Sequence, residues 1–85
     1  MSDVAVWKSA DQLKEGDWIV SFGGPQYNTR ITEVSNGRFP NEVMLRTDYG
    51  YGGAGATTFY RKSDRVPVGT SEHSEPPTEP PVAVQ

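Results

Sequence analysis

Few residues in this chain are equipped for covalent chemistry. Its one histidine, His73, sits in Glu72-His73-Ser74-Glu75, where a single imidazole between two carboxylates makes a poor metal site. There is no cysteine, which removes thiol nucleophiles, disulfides and Cys-based zinc sites. Glu15 and Asp17 flank Gly16 and suit turn chemistry better than acid–base work. No Ser-His-acid or Cys-His set can be assembled from the remainder. The expectation is a chain with no catalytic residues, cofactor or metal: a binding protein, not an enzyme.

Gly50-Tyr-Gly52-Gly53-Ala-Gly55 satisfies G-x-G-x-x-G literally. A dinucleotide site needs a helix to begin there, so that its first amides meet the pyrophosphate. The next residues are instead Ala56-Thr57-Thr58-Phe59-Tyr60, a β-prone run, and no Lys-Ser/Thr completes a phosphate loop either. The glycines read as a long hairpin loop, with Tyr49 and Tyr51 offering stacking faces at its tip.

Cations interleaved with aromatics are the stronger candidate. Tyr60-Arg61-Lys62-Ser-Asp-Arg65 puts three cations within five residues, and Arg30, Arg38 and Arg46 lie on expected strands or turns. Such a groove would hold backbone phosphates while aromatics stack bases. The candidate nucleic-acid-binding set is therefore Tyr49, Tyr51, Tyr60, Arg61, Lys62 and Arg65. Charge counts against it: residues 1–69 carry eight cations and eight acids, so Glu72, Glu75 and Glu79 supply the whole net charge of −3. Nucleic-acid domains commonly show a basic excess.

The elements that would position these residues are short strands. All nine aromatics fall within the first sixty residues, where each can bury roughly 150–250 Å². Asp17–Phe22 places Trp18, Val20 and Phe22 on one face by period two, which predicts them in the core. Thr29–Val34 holds Ile31 and Val34 at opposite parity, so burying both requires a bulge or bend between them. Glu42–Thr47 alternates cleanly, with Val43, Leu45 and Thr47 opposed to Glu42, Met44 and Arg46. Ala56–Arg61 and Arg65–Val68 complete five strands, the last at an edge because Pro67 cannot donate to a ladder. Ser9-Ala-Asp-Gln12 has the capping-box pattern of one helical turn, and Lys14-Glu-Gly-Asp17 suits a type II turn with Gly16 at positive φ. Trp7, ahead of that cap, is placed to fold over the sheet as a lid.

From Thr70 to Gln85 the chain reads TSEHSEPPTEPPVAVQ. The composition predicts a disordered acidic, proline-rich tail with polyproline II character. Pro77-Thr-Glu-Pro80 has P-x-x-P spacing, but no arginine flanks it, and a spacer is the simpler reading. The expected organisation is a β-domain over 1–69 and a tail over 70–85.

Gly16-Asp17-Trp-Ile-Val20-Ser-Phe-Gly23-Gly24-Pro25, followed by Ile31-Thr-Glu-Val34, resembles the opening hairpin of KOW-type and other SH3-like barrels. That resemblance implies a small five-stranded antiparallel SH3-like barrel with one short helical turn. Apolar runs of three or four residues exclude a helical membrane span, and no secretory leader is visible, so the cytoplasm is the expected compartment. The expected function is a nucleic-acid or nucleoprotein-associated accessory module, monomeric or weakly oligomeric. The alternative is a small regulator or inhibitor of a protein partner, of the kind phages and plasmids encode, acting through its aromatic loops and tail.

Overall fold

β-branched and aromatic residues punctuated by glycine turns about every ten residues favour short strands. A computed structural model of the chain describes residues 3–48 and 55–80. Its strands are β1 (Val6–Ser9), β2 (Trp18–Ile19), β3 (Thr29–Asn36), β4 (Glu42–Thr47), β5 (Ala56–Arg61) and β6 (Arg65–Gly69). They form one antiparallel sheet in the order β1-β6-β2-β3-β4-β5. The fold is all-β. Two expectations are corrected: among the described residues there are six strands instead of five, and β1 and β5 are left as edges, so the sheet they form is not closed. The added strand is the segment around Trp7. It pairs Val6 with Val68 and Trp7 with Pro67, occupying a β6 edge whose polar groups would otherwise lack partners.

The turn at Ser9–Gln12 forms as a three-residue 3₁₀ turn (Ala10–Gln12), without a side-chain cap bond from Ser9. A second one spans Pro25–Tyr27. Gly16 takes φ 95° in its turn, closed by Asp17 N–H donating to Lys14 O at 3.1 Å. β3 has the anticipated irregularity: its register with β4 shifts between Ile31 and Glu33, and the intervening Thr32 hydroxyl donates to Arg46 O at 3.1 Å. The shift brings Ile31 and Val34 to the same core despite their parity.

That core consists of Ala10, Leu13, Ile31, Val43, Leu45, Val66 and Val68, with Ile19, Val34 and Tyr60 packed against it. Trp18 is not a member. Antiparallel partners share a face, and Ile19 lies opposite the core residue Val68, whereas Trp18 lies opposite Gly69. Trp18 therefore points to the other face, where it is half-buried, and Phe22 is exposed. Pro67 also differs from expectation, because β6 is interior, between β1 and β2. It is tolerated there because β2 ends at Ile19: Val20 donates to Pro67 O at 3.0 Å, and no ladder bond asks for the missing N–H.

The expectation of a free, disordered segment after Gly69 does not describe residues 70–80. Glu75 donates to Asp3 O at 2.7 Å, Ala5 donates to Glu75 O at 2.8 Å, and Val4 and Glu75 form a parallel bridge. The Asn28 side chain, 1 % exposed, donates to Glu72 O and Ser74 O at 3.0 Å each and accepts from Ser21 N–H at 2.8 Å. The Asp3 carboxylate accepts from Thr70 N–H, from the Thr70 hydroxyl and from the Ser74 hydroxyl. Trp7 Nε1 donates to Glu79 O at 2.7 Å. A strap thus crosses the face that carries Val20 and Ala5, both buried. Gly69 permits it: a Cβ there would collide with the Ser74 side chain. Composition missed this segment because it is fastened more by directional polar bonds than by apolar burial. Residues 81–85 of the expected tail lie outside the described residues.

Candidate nucleic-acid interface

Alternation along β5 decides what its residues can reach. Thr57, Phe59 and Arg61 face outward, and Thr58 and Tyr60 face inward. Tyr60 is thereby removed from the candidate set as a stacking surface. Its ring packs against the core, and burial, followed by the Asp64 charge, pushes its hydroxyl above the ordinary tyrosine range. Tyr49 and Tyr51 lie outside the described residues.

Arg61, Lys62 and Arg65 are brought together at the β5–β6 turn and are all exposed. The turn is fixed by its backbone. Asp64 donates to Arg61 O at 3.0 Å, Lys62 to Asn41 O at 2.8 Å, and Ala10 to Asp64 O at 2.8 Å. The Asp64 carboxylate accepts from Arg61 N–H at 2.9 Å. The acid beside Arg65 in sequence is thus engaged with backbone. Glu42, opposite Arg61 in the ladder, is spent on Arg38 at 3.1 Å, while Asp11 lies open beside Lys62 and Arg65. Among the described residues none of the three turn cations has an ion-pair partner. Lys62 and Arg65 border a shallow depression of about 220 Å³ with Ser9, Asp11 and Ser63.

A second cluster, which sequence reasoning did not single out as a site, lies on the outward face of β4 and β5. The Arg38 guanidinium sits 4.0 Å from the centre of the Phe59 ring and 5.7 Å from that of Phe39. Glu42 fixes it there, accepting from Arg38 Nε at 3.1 Å, Nη2 at 3.2 Å and the backbone N–H at 2.9 Å. These bonds hold the Glu42 carboxyl below its usual range and keep Arg38 charged. Phe39 is 60 % exposed and Phe59 37 %, both unusual for rings of this size. Met44 pairs with Phe59, and Arg61 follows Phe59 by two residues on the same face. The available signal was the parity of Phe59 with Arg61, together with Arg38-Phe39 directly after the Asn36-Gly37 turn.

His73 lies in the strap, with Nε2 3.3 Å from Glu72 Oε1, and both side chains are open to water. Among the described residues, no group of three or more His, Asp or Glu is placed to hold a metal ion, and no helix is long and apolar enough to cross a membrane. No family model, curated protein or solved structure matches this chain.

Proposed function

We propose that this chain is a non-enzymatic cytoplasmic binding module, an accessory protein to nucleic acid or nucleoprotein, built on an SH3-like sheet. The fold part of the reading is supported by connectivity: β2 to β5 run as a four-stranded meander, and β6 returns to β2. The functional part rests on one observation. Arg61, Lys62 and Arg65 project from a backbone-braced turn without ion-pair partners among the described residues, with Asp64 and Glu42 engaged and Asp11 open beside Lys62 and Arg65. Unpaired cations held at fixed spacing are what phosphate contacts require, and phosphate contacts supply most of the affinity in weak, sequence-independent binding.

With no net positive charge over residues 1–69, binding should be micromolar or weaker and steeply salt-dependent. The test is a titration of the full chain against single- and double-stranded oligonucleotides at low and moderate salt. The log–log slope should be near −0.9 per duplex phosphate contact and near −0.7 per single-strand contact. Absence of binding to either at low salt would overturn the proposal.

A protein-binding reading has its own support on the strap side of the molecule. Phe22 stacks on Trp7 with centroids 6.0 Å apart and is 64 % exposed, and Tyr27, Val4 and Val6 are exposed nearby in the chain. A failed titration would put this reading first.

A further inference from the structure

The outward face of β4–β5 has features that the turn cations do not need. Two phenylalanine rings are kept at the surface, and an arginine is pinned over one of them. Water-exposed aromatic area is unfavourable unless something covers it, and here Glu42 is committed to holding Arg38 in place. The exposed charged groups on this face are Arg38, Arg46 and Arg61 against Glu33, with Arg38 paired to the half-buried Glu42. Phe59 and Arg61 are two residues apart on one strand, about 7 Å along it. An anionic chain lying along β5 would meet the Arg38 guanidinium stacked on Phe59 and then a second cation, Arg61. The same path continues to Lys62 at the turn.

We infer that this face is a base-stacking platform for single-stranded nucleic acid, with the Phe39 ring and the Arg38 guanidinium seated on Phe59 receiving the unstacked bases, and Arg61 and Lys62 the adjoining phosphates. The inference rests on the nucleic-acid reading above and narrows it. Single strands are specified because a base inside a duplex already has both π-faces covered by its neighbours, whereas an unstacked base presents one. The planar Arg38 guanidinium can stack on a base and contact a phosphate. Pinning by Glu42 lowers the ordering cost it would otherwise incur on binding.

The experiment compares the full-length chain with Phe39→Ala and Phe59→Ala against a single-stranded oligonucleotide and its duplex, at one low salt concentration. Thermal unfolding is recorded for each variant. Phe39 is the more exposed ring, so its replacement should leave the fold intact even if Phe59→Ala softens the sheet. The expected result is single-strand binding weakened by about 5- to 150-fold per lost stacked base, with duplex binding unchanged. Equal loss on both ligands, or no loss on either from the folded Phe39→Ala chain, would overturn the platform and leave the proposal for the turn cations standing. Failure of the parent chain to bind either ligand would overturn both. Binding that follows an acidic peptide and not the oligonucleotide would also overturn the platform as assigned.

Discussion

The core and the strap seam are held together by opposite means. The core joins β3, β4 and β6 through aliphatic side chains; Leu45 is fully buried and Ile31 and Val66 nearly so. The seam joins residues 70–80 to the sheet through Asn28, Asp3, Thr70 and Ser74, with Ala5 and Val20 buried beside them. Apolar burial is non-directional, so many sequences could fill the core. The seam depends on each polar atom meeting its partner, and among the described residues no buried side-chain nitrogen or oxygen lacks one. A segment too poor in apolar residues to fold by burial can still be ordered, provided that a nearly fully buried amide such as Asn28 is there to receive it.

The largest effect should come from the core. Leu45→Ala leaves a cavity at a site with no exposure, and should cost about 2–5 kcal/mol, most of the reserve of so small a domain. Urea unfolding would show a chain largely unfolded near room temperature, with the strap lost along with the core. A near-normal midpoint would mean that the centre of packing lies elsewhere.

A smaller effect should separate the seam from the core by pH. Hydrogen bonds from the Ser74 hydroxyl, then the Thr70 hydroxyl and N–H, hold the Asp3 carboxyl below its usual range. Its folded-state value is thus lower than in the unfolded chain, so its contribution is complete above the ordinary aspartate value near 3.9 and fades as pH falls through the lower folded one. Acid titration followed by NMR should perturb the Ala5 and Glu75 amides in that window while the Leu45 amide stays unchanged. Asp3→Asn should abolish the step. Simultaneous change at all three amides in the parent would show that strap and core open as one unit.

The core was largely legible because its determinants are local and periodic. Alternation in β4 placed Val43 and Leu45 correctly, and the parity clash of Ile31 and Val34 located the β3 bulge. Two-residue β2 defeated the same reasoning: so short a strand takes its facing from its partners, and Ile19 follows Val68 into the core while Trp18 turns away. The strap was illegible because its bonds join Asn28 to Ser74 and Asp3 to Thr70, separations of 46 and 67 residues that no window can connect. The candidate site divided similarly. The cationic turn was visible as a run, whereas the Arg38–Phe59 stack required the β4–β5 register.

If the strap is part of the folded unit, a chain ending at Gly69 should unfold at a lower midpoint than the full chain. Removing the strap deletes the partners of the Asn28 amide, Ala5 N–H and Asp3 O, and uncovers Val20. At about 1 kcal/mol net for each lost bond, the expected loss is about 2–4 kcal/mol, seen as a clearly lower urea midpoint. An unchanged midpoint and slope would contradict it, and would mean that the strap rests on the sheet without stabilising it.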